Sequence, residues 1–281
     1  DKIIALIHNA QVFEWDSNAT NAVANRATII SGAPTASRDM LVSTPDRHLV
    51  FFGTETTIGD PTTQDEMFIR FSNQEDINTY TPTAVNTAGT QRLADGSKIV
   101  GAVRGRDAIY VWTDTSLFTM RFVGPPFTFG FQQIGTNCGL IGQNAAIEVD
   151  GAAYWFSENG FFKYSGNLET MTCLVEDFVF NDLNTTASQL INAGLNNLFG
   201  EITWFYCSEG ATVVDRCVTY NYMESTPQRP IWTTGTLNRT TWQDSSVFGK
   251  PHGTDYDSTG TSYDVVGNTD GATTYYEHET G

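Results

Sequence analysis

Ala108-Ile109-Tyr110-Val111-Trp112, the polar turn Thr113-Asp114-Thr115-Ser116 and Leu117-Phe118-Thr119-Met120-Arg121-Phe122 decide how this chain is read. Two runs rich in aromatic and branched residues flank a short turn, and the second alternates apolar with polar toward its end. That is a β-hairpin. The pattern returns without a gap at Ala152-Ala153-Tyr154-Trp155-Phe156 and Phe161-Phe162-Lys163-Tyr164, with Ser157-Glu158-Asn159-Gly160 as the turn. Working outward, the N-terminal segment matches this second copy: Asp1 falls on Asp150, Phe13 on Phe162, Trp15 on Tyr164 and Asn18 on Asn167. A looser copy pairs the run from Asp46 to Phe52 with that from Met67 to Phe71. Another pairs the run from Glu201 to Tyr206 with that from Arg216 to Tyr220. Hairpins recurring every ~40–50 residues with shared aromatic positions mark propeller blades, whose apolar faces neighbours must cover. The expected fold is all-β, a β-propeller-like array of antiparallel hairpin blades. An ordinary β-sandwich with repeated hairpins is the competing architecture.

Two stretches depart from the β pattern. Leu174, Phe178 and Asp182-Leu183 stand at helical spacing, which predicts a short helix over 174–183 packed on a blade edge. Residues 79–93 are polar and aperiodic, which predicts an extended loop or arm suited to contact with a partner. The chain opens at Asp1-Lys2-Ile3-Ile4 and stops at Tyr275-Tyr276-Glu277-His278-Glu279, both strand-like. Residues 1–281 are therefore expected to form a single propeller-like domain, truncated at both ends.

Hydrophobic residues make up 40% and charged residues 17% of 281, the composition of a packed chain. No apolar run reaches the ~18 residues of a membrane span, so no membrane insertion by this chain is expected. The net charge is −17. Affinity for a phosphate backbone comes from clustered Lys and Arg, so this balance opposes nucleic-acid binding. It serves solubility, or a surface that lets DNA pass without sticking.

No catalytic set emerges. His8, His48, His252 and His278 are scattered, without a pair at metal spacing, and read as ordinary surface or blade-edge residues. There is no nucleophile elbow and no Gly-rich phosphate loop. Ser258-Thr259-Gly260-Thr261-Ser262-Tyr263 has only a faint likeness to the aspartate-box turn of sialidase-type propellers and lacks its Asp. Asn268-Thr269-Asp270-Gly271 looks like half a calcium loop, but no Glu follows at the needed distance, so it reads as a turn. Asn18, Asn184 and Asn238 begin Asn-x-Thr sequons, which carry little without a secretory context. Cys138, Cys173, Cys207 and Cys217 lack metal-ligand spacing. Cys207 and Cys217 flank a hairpin turn and could face each other, though free thiols are the expectation. No cofactor, no metal and no enzymatic activity are expected.

Arg92, Lys98, Arg104 and Arg106 form the only basic cluster. On a strand from Lys98 to Arg104, an even separation places those two residues on one face. The cluster is either a solvated edge that discourages sheet pairing, a subunit interface against acidic surface, or a sparse contact to passing DNA.

Several stretches taken together carry a family resemblance. They are Phe71-Ser72-Asn73-Gln74-Glu75-Asp76 with Tyr80-Thr81-Pro82, Asn86-Thr87-Ala88-Gly89, and Val111-Trp112-Thr113-Asp114-Thr115-Ser116-Leu117. Val123-Gly124-Pro125-Pro126-Phe127, Gly135-Thr136-Asn137-Cys138-Gly139-Leu140-Ile141 and Val175-Glu176-Asp177-Phe178-Val179-Phe180-Asn181-Asp182 complete them. Over residues 45–250 the chain resembles the tail nozzle family of short-tailed bacteriophages, also described as packaged-DNA stabilisation or head-completion proteins. The resemblance implies a virion tail protein, assembled in the bacterial cytoplasm, that pairs with itself in a cyclic ring, a hexamer. It also implies contact with the portal-adaptor and other tail proteins, and with passing double-stranded DNA without sequence-specific binding. No catalytic residue belongs to that role. The alternative is a receptor- or carbohydrate-binding propeller of a tail fibre or host-recognition module.

Overall fold

The computed structural model describes residues 2–16, 26–44, 46–244, 251–256, 263–269 and 272–276. Asp1, Asn18, the segment Ser258 to Ser262, Asp270-Gly271 and residues 277–281 lie outside the described residues. By its contacts the chain forms two compact units, Asp1–Gly139 and Leu140–Gly281.

The first unit holds three antiparallel sheets. Strands β1 (Lys2–Leu6), β2 (Val12–Asp16) and β3 (Thr28–Ile29) form the first. Strands β4 (Asp39–Ser43), β5 (His48–Phe52), β6 (Phe68–Phe71) and β7 (Gly89–Arg92) form the second as a simple meander. Strands β8 (Ile99–Arg104), β9 (Ile109–Thr113), β10 (Ser116–Gly124) and β11 (Thr128–Thr136) form the third in the same order.

Period-two alternation explains how these sheets stack. In β5, Val50 and Phe52 face one way and pack with Ile99, Ile109 and Val111 of the third sheet. The intervening Leu49 and Phe51 face the other way and pack with Val12 and Ile30 beside the first sheet. A strand whose two faces are both covered reads as continuously apolar, and every residue of β5 and β9 is buried. This is the physical content of a propeller blade: neither face is stable until a neighbouring sheet covers it.

The second unit repeats the plan. Strands β12 (Ala146–Val149), β13 (Ala152–Ser157), β14 (Gly160–Tyr164) and β15 (Leu168–Thr170) form one meander. Strands β16 (Asn192–Asn196), β17 (Glu201–Tyr206), β18 (Arg216–Asn221) and β19 (Trp232–Gly235) form the next. Strands β20 (Thr241–Gln243), β21 (His252–Tyr256), β22 (Tyr263–Thr269) and β23 (Ala272–Tyr276) form the last. On β17, Trp204 meets Phe161 of β14 with ring centroids 5.1 Å apart, while Phe205 turns to Trp242 of β20 at 5.6 Å. The two hairpins that decided the reading are β9–β10 and β13–β14, each the central pair of its meander.

The expected helix is present as α1 (Glu176–Asp182), but its buried face differs from the spacing argument. Val179 is buried and Phe180 packs edge-on against Phe156 at 5.4 Å, whereas Leu174 and Phe178 are 71% and 55% exposed. Residues 79–93 also differ from an extended arm. Gly89–Arg92 is the outer strand β7, and the loop before it is pinned by buried Tyr80, leaving Val85 exposed at its apex.

Candidate functional site

The four sequence-predicted cations do not form one cluster. Arg92 closes β7 and bonds Asp65 at 2.7 Å. Burial works to raise the Asp65 carboxyl, but the Met67 N–H and the Arg92 guanidinium outweigh it and hold the group below its usual value. Lys98 lies just before β8, and its carbonyl accepts the Asp114 N–H at 3.1 Å. Arg104 stands at the far end of that strand, roughly 20 Å away at the usual strand rise. The same-face argument fails as well. A bulge between Ile99 and Gly101 adds one residue to β8 against β9, which places Lys98 and Arg104 on opposite faces.

Arg104 and Arg106 do come together. Both are exposed, and both line a cleft of about 290 Å³ with Ser43, Thr44, Asp46 and Phe122. Asp107 lies in the same turn. Among the described residues neither guanidinium meets a carboxylate. Beside them rises the β10–β11 hairpin, with strands of 9 residues each. Strand β9 pairs with β10 only from Leu117 to Met120, so the segment from Arg121 to Gly124 is paired on its β11 side alone. The hairpin tip carries Val123 and Phe127, 57% and 77% exposed, next to the partly exposed Phe122.

Sequence reasoning missed the hydrogen-bonded network to which Ser43 and Asp46 of this cleft belong. His48 is fully buried, not a surface or edge residue. Its Nδ1 lies 2.8 Å from Asp46 Oδ2 and its Nε2 lies 3.0 Å from Thr87 Oγ1. Ser43 Oγ donates to Asp46 Oδ1, and Thr87 Oγ1 donates to Asn73 Oδ1. The rings of Phe71, Phe122 and Phe129 enclose the imidazole. The arrangement has hydroxyl, imidazole and carboxylate in sequence. Its half-buried hydroxyl, that of Thr87, already serves Asn73 and the Gln74 N–H, so it ties the 79–88 loop to β5. The available sequence signal was Asp46-x-His48 at the head of an apolar run. Arg70 was missed too: buried beside Phe71, it donates to the carbonyls of Tyr80, Glu55 and Thr56.

The second unit holds a separate cleft of about 590 Å³ lined by Asn144, Gln189, Asn192, Thr212 and Thr241, with no charged side chain. Cys173, Cys207 and Cys217 of this unit are buried and outside any disulfide, and so is Cys138 in the first. Cys217 registers with Phe205 across the β17–β18 ladder, so it does not face Cys207 there. Burial pushes Cys173 and Cys207 up to about 11. Among the described residues no group of His, Cys, Asp or Glu is placed to hold a metal ion. Among them too, no helix is long and apolar enough to cross a membrane.

No family model and no curated protein matches the chain. Among solved structures it is similar to the AfRom2 CNH domain, at 8% identity and a TM-score of 0.55, covering 98% of this chain and 80% of that chain. At that identity the likeness bears on the fold alone, and it agrees with the β-propeller-like architecture built above.

Proposed function

We propose that the chain is a structural subunit of a bacteriophage tail, one copy of a ring-forming nozzle that retains and conducts packaged DNA. The observation that carries this reading is the distribution of charge. A net charge of −17 makes the protein repel a duplex, while Arg104 and Arg106, which meet no carboxylate among the described residues, sit in one cleft beside a hairpin with an apolar tip. DNA carries about one negative charge per 1.7 Å of axis, so a basic conduit would grip it at many phosphates. An acidic wall repels it over a Debye length of about 8 Å at physiological salt and keeps it centred. Sheets covered on both faces supply the rigidity a conduit needs. The family resemblance adds the expectation of six copies, of contact with the portal-adaptor, and of a place in the virion. A density map of the intact particle tests this: the chain should occupy a ring around the tail channel, and a position in a fibre or away from the axis would refute it.

One observation favours a second reading, a receptor- or carbohydrate-binding propeller. The uncharged cleft of the second unit sets the amides of Asn144, Gln189 and Asn192 and several threonine hydroxyls among the aliphatic Leu190, Val213 and Val214, a mixture of hydrogen-bonding groups and apolar surface that suits a neutral sugar. Glycan-array binding that disappears on filling this cleft by Val213→Trp would support it.

A further inference from the structure

The exposed face of α1 is chemically the inverse of the Arg104–Arg106 cleft. Leu174, in the turn that leads into the helix, and Phe178, in its first turn, are both exposed. Glu176 and Asp177 are exposed between them, and there is no basic residue in the last turn of the helix. Glu176 reaches over Gly160, next to the exposed Glu158 in the β13–β14 turn. The helix thus offers carboxylates framed by two large apolar side chains. The cleft offers two guanidiniums that meet no carboxylate among the described residues, with Phe122 in its lining, and the hairpin that Phe122 belongs to exposes Val123 and Phe127 at its tip.

From this complementarity we infer that the Arg104–Arg106 cleft of one copy receives the α1 face of a second copy, with Glu176 and Asp177 meeting the guanidiniums and Leu174 and Phe178 packing on the hairpin tip. This rests on the ring-forming reading and specifies its contact. Arginine presents a planar fork that matches a carboxylate with two parallel hydrogen bonds. Covering it with apolar side chains excludes the water and salt that make exposed ion pairs weak. Asp107 within the turn and the buried Asp46 oppose the incoming carboxylates. Asp46 is already bonded to Ser43 and His48. The two surfaces differ, so the contact is heterologous. Each copy keeps one surface open for the next, which builds a ring if the rotation closes and a filament if it does not.

Charge exchange tests the pairing. Arg104→Glu with Arg106→Glu should abolish self-association of the full chain in sedimentation, and so should Glu176→Arg with Asp177→Arg. Each variant alone then carries like charges on both surfaces. Mixing the two should restore assembly, because every reversed cleft finds a reversed helix and every native cleft a native helix. The chain carrying all four changes should assemble by itself. Circular dichroism should be unchanged throughout, since all four side chains are exposed. If the parent forms rings and the reversed variants form them equally well, or if mixing restores nothing, the contact is wrong while the ring stands. If the parent stays monomeric in the intact particle, the ring reading falls and this inference falls with it.

Discussion

His48 Nε2 lies 3.0 Å from Thr87 Oγ1, a bond that joins the head of β5 to a loop 39 residues further along the chain. The loop therefore depends on the imidazole, and the imidazole on the loop. Thr87→Val removes the hydroxyl and leaves His48 and the Asn73 carboxamide without that partner. It should cost about 1–3 kcal/mol. Hydrogen exchange should show the loss first between residues 79 and 88, with Thr87→Ser largely restoring protection. Unchanged exchange in that segment would mean the network does not hold the loop.

The stacked aromatic rings of the second unit should dominate its stability. Trp204 is fully buried between β14 and β19, and Trp204→Ala should cost about 3–5 kcal/mol in denaturant unfolding. Leu198, 73% exposed in the neighbouring turn, should tolerate Ala within about 0.5 kcal/mol. Equal costs would contradict the stacking of these sheets.

What the sequence disclosed and withheld follows from where each residue sits. Central strands covered on both faces are dominated by apolar and aromatic residues, so β5, β9, β13 and β17 were legible, and their hairpin partners with them. Outer strands have no such constraint. Gly89-Thr90-Gln91-Arg92 carries no apolar side chain, and β7 was hidden inside a polar stretch. The bulge at Ile99–Gly101 is defined by its partner strand, so no count along β8 alone could reveal it, and the cation face was misplaced. In α1 the apolar residues outnumber what one face needs, and Val179 rather than Phe178 turned inward. The convergence of Arg104 and Arg106 with Phe122 depends on a turn and a hairpin meeting in space, which spacing does not encode.

Acid should weaken the first unit through its depressed carboxyls. For Asp65 and Asp114, burial raises the group but hydrogen bonding outweighs it. For Asp76, the Thr79 hydroxyl and the Asn78 N–H lower it. A carboxyl whose folded value lies below the unfolded one, about 3.9, contributes stability that is complete above that pH and lost as pH falls through the folded value. Stability should therefore be flat near neutrality and decline below about pH 4. Asp65→Asn should shallow that decline. A decline of unchanged slope in the variant would remove Asp65 from the account.

Thiol chemistry should report unfolding. Burial raises all four cysteine thiols, so the thiolate is scarce at neutral pH and access is closed. A disulfide reagent should find no reactive thiol in the native protein and 4 after denaturation. Only two appearing after denaturation without reductant would reveal a bond between a pair such as Cys207 and Cys217.

The central claim is that an acidic, propeller-like chain closes into a ring around DNA, and native mass spectrometry of the purified protein across a range of ionic strengths tests it most directly. The account predicts one closed species, six copies by the family resemblance, that loosens as salt screens the Arg104 and Arg106 contacts. A monomer at every concentration and ionic strength, both in solution and in the intact particle, would contradict it.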